Sequence, residues 1–368
     1  MSEQFGFRQP TLEKRSYLPK LVFIETTVAC NLSCLHCRRT TTSPKEQLHT
    51  EEIMRLIEEL VEVGKPVLVF SGGEPLLRDD IFELVRHANS LGLITCMATN
   101  ATLMTKEMAA EVKASGIKRC AVSLDGPSAD VHDAIRGVKG AFERTVTGIK
   151  NLLSCGVEVQ INITLTRTTK PYLRPMHQLA KALGAVALHV FLLVPVGCGA
   201  QLADTEMMTP HECEEALEEL CELMFLGELP IRATCAPHFY RIVAQKGLMN
   251  LLAGQQSRLS SFTRGCLAGT GVCFISQSGD VMPCGYLPIP AGNIRTQSFS
   301  EIWHHSKLFE VLRDCTLLEG KCGVCEFKDI CYGCRARAYF ATGNMMAQEP
   351  LCAYEPKGFL QSAKGFNE

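Results

Sequence analysis

Several features that decide the class of many proteins are missing from this 368-residue sequence. It has almost no net charge, a formal −2, so nothing in the total favours nucleic acid or an anionic membrane. No uninterrupted apolar run reaches the roughly 18 residues of a membrane span, so none is expected. The opening stretch MSEQFGFRQPTLEKR has no apolar h-region and no cleavage site, and a secreted disulfide scaffold is not expected. There is no low-complexity tract. The remaining composition, 46% apolar and 21% charged, is that of a globular protein. The length suits one barrel-sized domain plus a smaller one.

Cysteine is what the chain has in excess, with 19 residues. Cys96, Cys120, Cys155, Cys213 and Cys221 lie in apolar or helical stretches and read as buried thiols. The others gather in tight clusters, which points to metal. Structural zinc is one candidate, because CxxC pairs suit it. Many thiolates held on metal imply a reducing compartment, so a cytoplasmic location is expected.

Residues 21–194 repeat one theme, a short β-branched run followed by a helix-period segment ending at Gly. Strands are predicted at 21–26, 67–70, 93–98, 119–124, 157–165 and 186–194. Helices are predicted at 51–63 after Thr50, 80–91 after Asp79, 106–115 after Thr105, and 142–155 before Gly156. Side chains such as Thr and Asp cap helix starts, and Gly tolerates the left-handed turn at helix ends. Such alternation predicts parallel strands with right-handed crossovers. Six units make a partial (β/α)6, TIM-like barrel, with its chemistry at the C-terminal strand ends. The expected division is a 1–20 extension, a 21–215 barrel, a 216–260 helical bridge and a 261–368 irregular cysteine-rich domain held together by metal.

Directly after the first strand stands Cys30-Asn-Leu-Ser-Cys34-Leu-His-Cys37. Three thiolates on one loop can hold three irons of a [4Fe–4S] cube and leave the fourth open. A structural zinc would take four ligands, and His36 sits awkwardly between two of the cysteines. After the second, third and fourth strands come Ser71-Gly72-Gly73-Glu74-Pro75, Thr99-Asn100 and Ser123-Leu124-Asp125-Gly126.

These motifs resemble the radical S-adenosylmethionine (SAM) superfamily, whose CxxxCxΦC motif carries an aromatic where this chain has His36. The resemblance implies a [4Fe–4S] cluster on Cys30, Cys34 and Cys37, with SAM on its open iron. The flat His36 ring would pack beside the adenine. Ser71, Gly72, Gly73, Glu74 and Pro75 would meet the methionine amino group. Asn100, Ser123 and Asp125 would face the ribose and carboxylate, and Arg136 matches a recurrent basic position. Arg136 otherwise reads as a solvated loop charge, and Asn162 and Thr164 as polar residues facing the barrel interior. Reductive cleavage of SAM would release a 5′-deoxyadenosyl radical.

The C-terminal part runs Cys266-x6-Cys273-x5-Gly279-x4-Cys284, then Cys322-x2-Cys325-x5-Cys331-x2-Cys334, then x17-Cys352. It resembles the SPASM domain, a module for auxiliary clusters, with the CYGC spacing one residue short of the usual pattern. Carried over by position, one [4Fe–4S] cluster would take Cys266, Cys273, Cys284 and Cys334. A second would take Cys322, Cys325, Cys331 and Cys352. A single auxiliary cluster, or zinc at the CxxC set, are the alternatives. Cys198, Cys235 and Cys315 are left over.

The segments CLAGTGVCFISQSGDVMPCGYLP, AGNIRTQSFSEIW, CYGCRARAYFATG and FLLVPVGCG are most similar to the alternative, siroheme-dependent heme-biosynthesis branch. The resemblance implies a radical SAM oxidoreductase that oxidatively decarboxylates two propionates of iron-coproporphyrin III to vinyl groups. Substrate carboxylates call for Arg. Arg295, Arg335 and Arg337 are candidates, with His238 as an iron or propionate partner; His189 reads as a core histidine. A low-potential donor such as flavodoxin or ferredoxin is implied. The alternatives are a SPASM peptide maturase, another tetrapyrrole-modifying enzyme, or a non-catalytic iron–sulfur or zinc scaffold.

Overall fold

The computed structural model describes residues 17–39, 47–249, 265–357 and 359. The predicted alternation is present as β1 (Leu21–Glu25), α1 (Thr50–Val63), β2 (Val67–Ser71), α2 (Ile81–Ser90), β3 (Thr95–Thr99), α3 (Lys106–Ser115) and β4 (Arg119–Ser123). It continues through α4 (Ala129–Arg136), α5 (Ala141–Ser154), β5 (Glu158–Leu165), α6 (Leu173–Leu183) and β6 (Ala187–Leu192). The six strands pair in sequence order, all parallel. One face of α1, carrying Ile53, Leu56, Ile57 and Leu60, is fully buried against the sheet. Each such side chain contributes about 1.5–3 kcal/mol of transfer free energy.

The caps vary. Thr105 accepts the Met108 N–H at 3.1 Å and Gly116 closes α3 in the left-handed region. Thr50 does not cap α1, because the helix begins on it; His49 holds the cap position, and its N–H donates to Glu52 at 2.7 Å. Asp79 does not cap α2. Asp80 takes that position, and its carboxylate is occupied by Arg78 and the Thr50 hydroxyl.

The sheet extends beyond six strands. After α7 (Ala203–Glu206) and α8 (Pro210–Phe225), β7 (Ile231–Thr234) pairs parallel to β6. The span read as a helical bridge therefore contains a seventh barrel strand, followed by α9 (His238–Gln245). The short IRAT run carries too little periodicity to be told from its helical flanks. At the opposite edge, β8 (Val272–Ile275) pairs parallel to β1 and turns back through β9 (Asp280–Met282) and β10 (Gly292–Asn293). The cysteine-rich region thus begins inside the barrel's own sheet. Among the described residues, the ten strands run β10-β9-β8-β1-β2-β3-β4-β5-β6-β7. Neither β1 nor β6 is left with an open edge.

Candidate active site

The cysteine loop leaves β1 and is gripped from two sides. Gly73 N–H donates to the Thr27 carbonyl at 2.7 Å and Glu74 N–H to that of Ala29 at 2.8 Å. A Cβ at Gly73 would lie 2.2 Å from the Ala29 oxygen, so only glycine allows this approach. On the other side, Ser33 and Leu35 N–H donate to the carbonyls of Arg136 and Ile135, at the end of α4. Gly137, at φ +70, lets the chain turn there with its Cα against the Ser33 carbonyl.

Each thiol has a donor. Leu32 N–H reaches Cys30 Sγ at 3.4 Å, Arg39 N–H reaches Cys37 Sγ at 3.4 Å, and Arg136 Nη1 reaches Cys34 Sγ at 3.5 Å. Donors to sulfur favour the anionic form that ligates iron. Three such thiols on a loop, with no fourth ligand on it, fit a cube with one open iron.

Glu74 is fully buried, and burial pushes its carboxyl up to about 7. Its oxygens accept from Thr99 Oγ1 at 2.7 Å, Asn100 N–H at 2.8 Å and Leu76 N–H at 3.3 Å. The carboxylate therefore props β2 against β3, with the half-exposed backbone of Ser71–Gly73 beside it. Pro75, buried, starts the short turn behind it. Asn100 also supports the loop, donating to Asn31 Oδ1 at 2.9 Å with its amide 4.0 Å from Cys30 Sγ.

Arg136 is buried, not a solvated loop charge. It spans from Cys34 to an ion pair with Asp125, and its Nε is buried without a partner, a spare donor at the site. Asp125 Oδ1 accepts Thr164 N–H at 2.8 Å, and His36 Nε2 stands 3.6 Å from Oδ2. Burial alone would raise the Asp125 pKa, but Arg136, His36 and His132 outweigh it and the net shift is down. Burial and Arg136 lower His36, which keeps its ring neutral and able to lie against a flat heterocycle. Ser123, half-buried, ends β4 beside Asn162.

In the C-terminal half, Cys322, Cys325, Cys331 and Cys352 line one pocket. The other set differs from expectation. Cys266, Cys284 and Cys334 act on one another electrostatically. The thiol that joins them is Cys235, hydrogen-bonded to Cys334 and acting also with Cys284. Cys273 lies on β8 opposite Val22, fully buried in the apolar core, and burial alone shifts its thiol. Strand alternation puts Cys273 on the core face with Ile275, while Phe274 between them points to the side where Arg38 lies. Cys235 sits just past β7 with a left-handed φ of 53. Nothing in its local spacing pairs it with cysteines downstream. Of the other spares, Cys198 Sγ lies 3.8 Å from the Arg39 carbonyl and Cys315 Sγ 3.3 Å from Asp329.

The radical SAM superfamily model matches residues 24–175, and an iron–sulfur cluster-binding SPASM domain matches 266–346. An AdoMet-dependent heme synthase of Methanosarcina barkeri is 45% identical over 92% of this chain and 97% of its own. The chain belongs to the radical SAM superfamily. The mycofactocin maturase MftC of Mycolicibacterium smegmatis is 33% identical, over 89% of this chain and 81% of its own. Among solved structures, Streptococcus suis SuiB bound to S-adenosylmethionine superposes with a TM-score of 0.73 at 18% identity, covering 92% of this chain and 78% of that one. That likeness shows the fold.

As a radical SAM enzyme with a SPASM domain, the protein uses SAM, a [4Fe–4S] cluster and auxiliary iron–sulfur clusters. Between the two cysteine regions stand Arg38 and Tyr286. Arg38 lies 4.0 Å over the Phe274 ring and 3.4 Å from Glu25. The half-buried Tyr286 phenol is pushed up by desolvation and by Cys235, with Cys284 and Cys37 also acting on it. Arg38 directly follows the three-cysteine loop and Tyr286 lies two residues past Cys284, but neither was a candidate by residue type.

The four substrate candidates are corrected. Arg295 forks onto Glu52 at 2.7 and 2.9 Å, at the start of α1. Arg335 is fully buried and bonds the carbonyls of Met345 and Ala347. Arg337, fully buried, pairs with Glu349 at 2.7 Å and bonds the carbonyls of Leu193 and Cys235. Glu349 in turn accepts Cys334 N–H at 2.6 Å, so this pair organises the cysteine loops. His238 is fully buried with Nε2 3.1 Å from Cys213, and burial drives its pKa down to about 3. Among the described residues, no helix is long and apolar enough to cross a membrane.

Proposed function

We propose that this radical SAM enzyme is a heme synthase, oxidatively decarboxylating two propionates of iron-coproporphyrin III to vinyl groups. The observation that carries it is the 45% identity, over nearly the whole of both chains, to the M. barkeri protein named AdoMet-dependent heme synthase. The lower identity to a peptide maturase supports a peptide substrate less.

We assign Cys30, Cys34 and Cys37 to the SAM cluster. Cys235, Cys266, Cys284 and Cys334 are assigned to one auxiliary cluster, and Cys322, Cys325, Cys331 and Cys352 to the other. When bound, the N-terminal cluster and SAM supply a 5′-deoxyadenosyl radical. Arg136 and Asp125 form the charged wall of the SAM pocket, His36 its flat neutral face, and Glu74 and Asn100 keep the loop in place. Each propionate must give up a hydrogen atom from its β-carbon, carbon dioxide and one electron to become a vinyl group. Arg38 and Tyr286 stand between the two cysteine regions, where a substrate would meet a radical on one side and an electron acceptor on the other. The thiolate-rich sites suit the cytoplasm, with a flavodoxin or ferredoxin as reductant.

The test is anaerobic turnover of the reconstituted enzyme with dithionite, SAM and iron-coproporphyrin III. The expected result is 5′-deoxyadenosine with stepwise loss of two carboxyl groups from the porphyrin. Deoxyadenosine with an unchanged porphyrin refutes the substrate and retains the radical chemistry.

A further inference from the structure

The inner face of the barrel carries a row of polar side chains that runs from Ser123, at the cofactor site, away across β5, β6 and β7. Ser123, Asn162, His189 and Arg232 are in register across β4, β5, β6 and β7. Their neighbours along each strand, Val122, Ile161, Leu188 and Ile231, are fully buried in the apolar core. Strand alternation therefore turns the row to the concave side. His189 is half-buried there, not a core histidine, and burial with Arg232 and Arg119 lowers its pKa to about 3. A neutral ring keeps a donor without adding charge. Arg232 is half-buried beside Tyr240, its Nη1 donating to the Ile231 carbonyl at 3.3 Å.

Position gives the row its meaning. At the Ser123 end it adjoins the SAM wall, since Thr164, one inward position beyond Asn162, donates its N–H to Asp125. At the Arg232 end it adjoins the auxiliary set, since Cys235 is three residues further along the chain. Three extended residues span about 10 Å. On the inner faces of β5–β7 beyond Glu158, the positions are Gln160, Asn162, Thr164, Ala187, His189, Phe191, Arg232 and Thr234. Arg232 is the one residue of formal charge among them, and it is positive. Glu158, nearer the strand start, is taken by Arg119 at 2.7 Å.

We propose that Arg232, with His189 and Asn162 beside it, forms a carboxylate-binding subsite for a non-reacting substrate side chain. This rests on the reading of the substrate as a tetrapyrrole polycarboxylate. The guanidinium fork matches a carboxylate bidentately. A carboxylate that must leave as carbon dioxide gains nothing from being held, so the anchor takes one that stays. Its position between the two cysteine regions fixes which propionate faces the radical.

The experiment is anaerobic absorbance titration of the cluster-loaded enzyme with iron-coproporphyrin III, without reductant, at two salt concentrations. R232M is expected to bind roughly ten- to a hundredfold more weakly, with a shallower salt dependence than the wild type. H189F is expected to lose a few-fold. Should R232M lose its iron, R232K carries the test: a point charge in place of the fork is expected to weaken binding roughly three- to tenfold. Wild-type affinity and salt dependence in an iron-loaded Arg232 variant overturn the subsite and leave the tetrapyrrole reading standing. No spectral shift with the wild type overturns that reading, and the subsite with it.

Discussion

The two iron–sulfur regions are assembled in opposite ways. Cys30, Cys34 and Cys37 lie on one eight-residue stretch, and the surrounding structure only has to hold it. Cys235, Cys266, Cys284 and Cys334 come from four separate segments, and only packing brings them together. Each region also contains a buried Arg–carboxylate pair. Arg136–Asp125 keeps a spare donor and faces the cofactor site. Arg337–Glu349 spends its bonds on the chain itself, tying Leu193, Cys235 and Cys334 into one block. Spacing groups cysteines that are neighbours in sequence, whereas tertiary contacts put Cys235 beside Cys334 and leave Cys273 in the core.

The contrast can be broken most severely at the contiguous loop. Cys30→Ala, Cys34→Ala or Cys37→Ala should abolish 5′-deoxyadenosine formation while the auxiliary iron stays bound. Retained cleavage of SAM would remove the basis of the N-terminal assignment. Next is the buried pair. Arg337→Met leaves Glu349 charged and unpaired, which should cost about 3–5 kcal/mol, read as a lower urea midpoint with loss of auxiliary iron. An unchanged midpoint would mean that the pair does not organise this region.

The third test compares two cysteines directly. Cys235→Ala should lower the iron content and alter the electron paramagnetic resonance of the reduced auxiliary cluster. Cys273→Ala should keep both, losing only core packing. The opposite pattern would restore the ligand set read from spacing.

The smallest effect is expected at Arg295. It holds Glu52 down at about 2, below the ordinary 4.5. A carboxyl depressed in the folded state stabilises above its unfolded value, and that contribution is lost as pH falls toward the folded one. This pair is partly exposed, so screening leaves about 0–1 kcal/mol. Arg295→Ala should flatten the fall in urea midpoint as pH drops from about 4.5 toward 2, without changing porphyrin binding. Weakened binding would return Arg295 to the substrate site.

Much of the barrel was legible beforehand. Six strands and four helices fall within a residue or two of their predicted bounds, because apolar periodicity and Gly stops are local signals. β7 and the pairing of β8 to β1 were not legible, since a four-residue strand is defined by its neighbours. The SAM-side candidates gather at the strand ends around the three-cysteine loop, but their contacts were not all evident. The motif suggests Glu74 as a ligand contact, and the fold also makes it a brace between β2 and β3, which depends on how those strands pack.

Composition, spacing and periodicity by themselves determined a partial barrel, a three-cysteine loop at its mouth and a metal-rich C-terminal region. Those properties depend on residues close together in the chain. Tertiary structure alone decided that Cys235 lies beside Cys334 while Cys273 lies in the core, that Arg335 and Arg337 are internal struts, and that Arg232 is on the concave face of the sheet. Whether an arginine or a thiol serves a ligand or the fold depends on what surrounds it, and those surroundings come from distant segments.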